Sequence, residues 1–163
     1  MTYIHYGNDE YYPFAGVRNV RNWQKPEGGL WASREDDPNG WETWCRKENY
    51  QIHLLEKHFT FSLVDGSRVL MLENEVQLID LPKQKPWKPK DLSWMETLGP
   101  DQIPTMEQMD ELLRPNWCLM DFEKLAKRYD AIELVNAGAF QHSLNLWDCN
   151  CILVMNPDAI QIR

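Results

Sequence analysis

The sequence predicts an α+β fold, and three observations carry that expectation. Short runs of β-branched and aromatic residues lie near both ends and in the middle of the chain. Segments with helical spacing and capping residues lie between them. The chain has 163 residues, 43% of them hydrophobic, which is enough for one domain with a buried core and too little for two full domains. It is therefore read as a single domain over residues 1–163.

The elements follow in order. Tyr3-Ile4-His5-Tyr6 reads as a strand that ends in the turn residues Gly7-Asn8-Asp9. Residues 8–40 are dense in Asn, Asp, Gly, Pro and Arg and keep no period, so Lys25 to Ser33 reads as loop turning into a short strand. Asn39 is expected to cap a helix from Trp41 to Asn49 with Trp41, Trp44 and Cys45 as its apolar stripe. His58 to Val64 alternates, Asp65-Gly66-Ser67 is turn chemistry, and Arg68 to Leu72 is expected to return as its hairpin partner. Val76 to Leu81 reads as one more short strand-like run. Pro82, Pro86, Pro89, Pro100 and Pro104 exclude a central strand or long helix, so about 82–104 is a Pro/Trp-rich insertion or connection. Thr105 is expected to cap a helix over 106–113, and Asp121 one over 122–129 with Leu125 and Ala126 inward. Ala131 to Val135 and Cys151 to Met155 read as buried strands, Asn156-Pro157-Asp158 as a turn, and Ile160 to Ile162 as a terminal strand fragment.

Composition excludes several classes. A net charge of -8 repels polyanions at long range, which argues against generic nucleic-acid binding. No apolar run is long enough for a bilayer, and Met1 to His5 has neither the basic nor the apolar region of a signal peptide, so the expected location is cytoplasmic. The four cysteines read as free thiols, and without finger-like Cys/His spacing no metal is expected. Most of the eight tryptophans read as loop residues that pack onto a small core.

Three combinations carry chemistry. His5-Tyr6-Gly7 places an imidazole able to hydrogen-bond a ribose hydroxyl beside a backbone that can approach a flat amide. In Gly28-Gly29-Leu30-Trp31-Ala32-Ser33, the glycines permit a turn and close approach, the indole can stack on a planar ring, and a small hydroxyl residue closes the site. Tyr129-Asp130-Ala131-Ile132-Glu133, together with Trp147-Asp148 ahead of Ile152 to Ile160, puts acidic side chains at the ends of strands. A carboxylate there can stabilise a developing oxocarbenium cation or orient a nucleophile.

In this order the three combinations resemble the ADP-ribosyltransferase family, in its diphtheria-toxin-like and poly-ADP-ribose-polymerase-like superfamily and its bacterial or phage branch. His5-Tyr6-Gly7-Asn8 is similar to the family's His-Gly-Ser/Thr strand end with a Tyr inserted. Gly29-Leu30-Trp31-Ala32-Ser33 is similar to its Gly-aliphatic-Tyr-aliphatic-Ala motif, with Trp for Tyr. Leu153-Val154-Met155-Asn156-Pro157-Asp158-Ala159-Ile160 is similar to its closing strand, and Tyr129-Asp130-Ala131-Ile132 to its Tyr-Asp-Gly-Val/Ile strand.

The resemblance implies two small, mostly antiparallel sheets around a cleft with flanking helices, and NAD as substrate. It implies ADP-ribosyl transfer to an unknown protein or nucleic-acid acceptor, and no membrane partner. On it, His5 holds the adenosine ribose with Tyr6 beside it, and Gly7 backbone groups hold the nicotinamide amide. Trp31 stacks near the nicotinamide, framed by Gly29 and Ser33, and Arg18 or Arg21 pairs with the pyrophosphate. The family's catalytic Glu sits just before the closing strand, where this chain has Asn150 and Cys151. Either Asp148 or Glu133 then takes its role, or the chain keeps the NAD-binding fold without transferase activity. A non-catalytic nucleotide-binding module and a protein-interaction domain that uses the tryptophans of 82–104 are the alternatives.

Overall fold

The computed structural model describes residues 1–163 and shows an α+β domain built on one mixed, seven-stranded sheet. The strands are β1 (Tyr3–Tyr6), β2 (Leu30–Arg34), β3 (His58–Leu63), β4 (Val69–Leu72), β5 (Ala131–Leu134), β6 (Cys151–Val154) and β7 (Ile160–Ile162). The helices are α1 (Trp41–Glu48), α2 (Trp94–Thr97), α3 (Met106–Leu113) and α4 (Phe122–Leu125), and no helix is long and apolar enough to cross a membrane. Across the sheet the order is β4-β5-β6-β2-β1-β3-β7, antiparallel except for the parallel pair β4/β5.

The expected pair of sheets is thus a single sheet, but one that nearly divides. The β1/β2 ladder holds only at Tyr3↔Arg34 and Ile4↔Ser33. Beyond it the strands part, leaving β4-β5-β6-β2 on one side and β1-β3-β7 on the other.

The sheet also curls. β6 and β7 stand four strand spacings apart in the ladder order, about 19 Å in a flat sheet. Residues 155–159 join them and include the 3₁₀ turn Pro157–Ala159, which is too compact to cover that distance extended. The curl brings the ends together around a core of Tyr3, Leu30, Phe61, Ala131, Ile152, Val154 and Ala159. Alternation sends the next residue of each strand to the other face. There Leu72, Ile132, Leu134 and Leu153 pack beneath Phe122, Leu125, Phe140, Leu144 and Trp147, forming a second core.

Several local expectations are corrected. β3 and β4 are not a hairpin, because β3 pairs with β1 and β7, whereas β4 joins β5 at the far edge. Arg68 fixes that choice. Its N–H and guanidinium donate to the Asp130 carboxylate at 2.8, 3.2 and 3.1 Å, and its carbonyl accepts from Asp130 and Ala131. Residues 76–81 are not a strand but follow from the 3₁₀ turn Glu75–Leu78, whose start is held by the Gln77 side-chain oxygen accepting the Glu73 and Asn74 N–H groups. Helix α1 begins at Gly40 without a cap from Asn39. The Asn39 N–H donates to Asp37, its carbonyl accepts from Asn150, and the hydroxyl of Ser33 receives the Trp41 N–H instead. Helix α4 ends at Leu125, after one turn. Thr105 and Asp121 do cap α3 and α4. Within 82–104, Trp87 and Trp94 are half-buried, and the Trp87 indole N–H donates to the Asn116 carbonyl.

Asp130 is the knot of the β4/β5/β6 region. Beyond Arg68, its carboxylate accepts from the Asn156 side chain at 3.0 Å, and its carbonyl accepts the Met155 and Asn156 N–H groups. The Arg68 hydrogen bonds, followed by Asn156, hold this carboxyl well below its ordinary value. A depressed carboxyl contributes stability that is complete above the unfolded-state value and is lost as pH falls through the folded-state value. Asp130→Asn is therefore expected to destabilise the protein most at neutral pH, and the gap from wild type should narrow as pH drops below about 4. Melting temperatures of both proteins across the acid range test this, and a gap constant with pH would refute it.

Candidate functional site

A cleft of about 230 Å³ opens on the helix-covered face of the sheet, where β1 and β2 part. Strand alternation supplies its floor: Ile4 and Tyr6 from β1, Trp31 and Ser33 from β2, and Cys151 from β6 point to this side, while Leu30, Ala32 and Ile152 point into the other core. Trp41 of α1 and Leu54 form one wall, and Trp147, Asp148 and Lys25 the other.

His5 occupies the gap between the strands. With the ladder lost after Ile4, its Nδ1 lies 2.7 Å from the Trp31 carbonyl and donates to it. That bond fixes the neutral tautomer with Nε2 as acceptor, and the exposed Asn8 amide donates to it at 3.3 Å. The ring packs on Phe59 with centroids 5.1 Å apart. Burial, outweighing the bond to Trp31, lowers the imidazole's affinity for a proton below its ordinary value.

Trp31 and Trp147 meet edge to face at 4.8 Å, and the Lys25 ammonium lies 5.4 Å from the centre of the Trp31 ring. The Lys25 Nζ is also 3.4 Å from Asp148 Oδ2. This corner is set by Gln24, a fully enclosed amide. It donates to the Ser143 and Cys118 carbonyls at 2.5 and 3.4 Å and accepts the Leu146 N–H at 3.2 Å. Its own carbonyl takes the Trp147 indole N–H at 3.0 Å. Across the cleft the Tyr6 hydroxyl donates to Glu42 at 2.7 Å, and Glu42 also holds Arg46. Burial first, then this bond to Glu42, pushes the Tyr6 phenol well above its ordinary value, so it stays a donor.

His5, Tyr6, Trp31, Ser33 and Asp148, singled out in the sequence, thus line one cleft. The Ser33 hydroxyl is already committed, donating to the Asn150 carbonyl at 3.0 Å and accepting from Trp41 at 2.9 Å. The other residues lie elsewhere. Glu133 faces away from the cleft and is paired with Arg34 at 2.7 Å. Arg18 pairs with Glu27 in solvent, and Arg21 is exposed in a turn; neither lines the cleft. Gly7 gives its N–H to Lys57 and Gly29 gives its N–H to Ala15.

The stretch 149–151 explains itself locally. Asn150 is a junction: its side chain accepts from Ala137 at 2.9 Å and donates to Asp37 at 3.0 Å, and its carbonyl takes Ser33. Cys149 and Cys151 line the cleft floor as free thiols. Hydrogen bonding with Cys149, then burial, holds the Cys151 thiol above its ordinary value, and burial pushes Cys45 up to about 11. Held as thiols, Cys151 and Cys45 are poor nucleophiles. No group of three or more His, Cys, Asp or Glu side chains is arranged to hold a metal ion.

Lys25, Gln24 and Trp41 belong to the site but were not singled out for it in the sequence. Lys25 stands just ahead of the Gly28-Gly29 turn, a position that marks a loop but not its contacts with Asp148 and Trp31. Gln24 acts only through residues more than ninety positions away, for which the sequence offers no signal. No protein-family model, curated protein or solved structure matches this chain.

Proposed function

We propose that this cleft binds the nicotinamide-ribose half of NAD and that the protein is ADP-ribosyltransferase-like. One observation carries the reading: His5, Trp31 and Asp148, scattered through the sequence and each needed for that chemistry, meet around one cleft at the parting of two strands. At about 230 Å³ the cleft lies below the usual range of pockets for whole drug-sized ligands, roughly 300–1,000 Å³, and suits one ring with its pentose. The rest of the dinucleotide would lie along the opening.

In this reading Trp31 stacks on the nicotinamide and His5 Nε2 accepts from a ribose hydroxyl, its Nδ1 proton being committed to Trp31. As the bond from C1′ to the nicotinamide nitrogen breaks, its electron pair leaves with nicotinamide and the ribose becomes cationic. Asp148 is the carboxylate that faces this charge, which exists only near the transition state. An acceptor oxygen or nitrogen closes the new bond at C1′ and gives its proton to solvent. A second reading, capture of the nucleotide without turnover, draws on the ion pair that occupies Asp148 in the ligand-free cleft.

Calorimetric titration with NAD and with ADP-ribose, followed by assay of nicotinamide released from labelled NAD, tests both. Binding with release, reduced at least about tenfold in Asp148→Asn, is expected for the transferase or glycohydrolase reading. Binding without release selects capture. Absence of binding refutes the NAD site.

A further inference from the structure

Lys25 is the only side chain lining the cleft that is cationic at neutral pH, in a protein whose net charge is -8. It already touches the two groups that the reading above gives to a ligand. Its ammonium covers the Trp31 ring at 5.4 Å, where a stacked ring would lie, and reaches Asp148 at 3.4 Å, where a ribosyl cation would be met. In the ligand-free protein the lysine thus imitates a cationic ligand with its own side chain. Both contacts are replaceable. The ion pair is a single long contact, and the two side chains are about one-third exposed, 32% and 31%. The backbone beside it is not free to move, because Gln24 is fastened to Ser143, Leu146 and Trp147, and Pro26 follows.

We propose that Lys25 is the anion-selecting residue of the cleft. It leaves Trp31 and Asp148 for a phosphate-type group on the incoming ligand, so seating the ligand uncovers both the stacking face and the carboxylate. The preferred ligand class is a flat cationic ring on a pentose that carries a phosphate. The Lys25 stem is long enough to re-aim its ammonium while its Cα stays fixed, and a phosphate offers it a stronger partner than one shared carboxylate oxygen. The proposal rests on the NAD-site reading and adds to it which residue reads the phosphate and what binding does to Asp148.

The test compares binding of nicotinamide riboside, which has the ring and pentose, with nicotinamide mononucleotide, which adds one phosphate, and with NAD, in wild type, Lys25→Met and Lys25→Arg. Wild type is expected to prefer the mononucleotide over the riboside by about tenfold. Lys25→Met should lose that preference from both sides, binding the mononucleotide more weakly and the riboside more tightly, because the competing ammonium is gone. Lys25→Arg should restore it. NAD binding with a preference unchanged in Lys25→Met leaves the NAD site standing and overturns the role of Lys25. Failure of all three ligands to bind wild type overturns both.

Discussion

Trp147→Ala is expected to lower the unfolding free energy by about 3–5 kcal/mol, the range for deleting a large aromatic side chain from a packed interior. Trp147 is 3% exposed and does three things at once. It lies parallel to Phe122 at 6.4 Å, makes an edge-to-face contact with Trp31 at 4.8 Å, and gives its indole N–H to the Gln24 carbonyl. Alanine leaves a cavity between sheet and helix layer and strips a buried carbonyl of its donor. Trp147→Phe should recover most of the packing but not the hydrogen bond. Urea denaturation followed by circular dichroism measures both; a cost below about 1 kcal/mol for the alanine variant would show that the indole belongs to the cleft wall and not to the core.

Gly28→Ala is the second large effect, expected at about 2–4 kcal/mol from left-handed strain plus overpacking. Gly28 has φ +76, and a Cβ there would lie 2.6 Å from the Gly16 carbonyl oxygen and 2.7 Å from that of Ala15. Both are backbone atoms and cannot rotate aside. Residues 15–16 would have to retreat, breaking the 3.0 Å bond from Gly29 N–H to Ala15 that closes the neck of the 15–29 loop. Gly66 provides the control. It has φ +87 but nothing within 4 Å of a built Cβ, so Gly66→Ala should cost only the conformational part, about 1 kcal/mol. Equal losses at the two sites would remove the steric argument.

The sequence made strand cores and two of the three expected helix caps legible because both are local, the exception being α1, where Ser33 rather than Asn39 takes the Trp41 N–H. Alternation and β-branching marked β1, β3, β5 and β6, and Thr105 and Asp121 cap where their spacing said they would. Pairing was not legible. Asp65-Gly66-Ser67 has hairpin chemistry, yet the destination of β4 is set by Asp130, a partner 62 residues away from Arg68. The site divides along the same line. Residues inside short motifs, His5, Trp31 and Asp148, could be named in advance. Glu133 could not be separated from Asp148 in the sequence, where both read as carboxylates at strand ends; in the structure Glu133 lies inside β5, paired with Arg34 and away from the cleft. Lys25 escaped because its meaning comes from Asp148 and the Trp31 ring, not from its neighbours in the chain.

The neighbourhood of β2 has a consequence for how the protein is made. During vectorial synthesis β1, β2 and β3 emerge by residue 63 and β1 can pair with both of the others, but the outer edge of β2 has no partner until β6 arrives. Ser33 waits for a residue 117 positions later. Through that interval Leu30-Trp31-Ala32 presents open amides and an indole to any other nascent chain, the arrangement that templates intermolecular strand addition. The same strand that forms the floor of the cleft in the finished protein is thus, on the way to it, an open edge that stays unpaired until β6 is made.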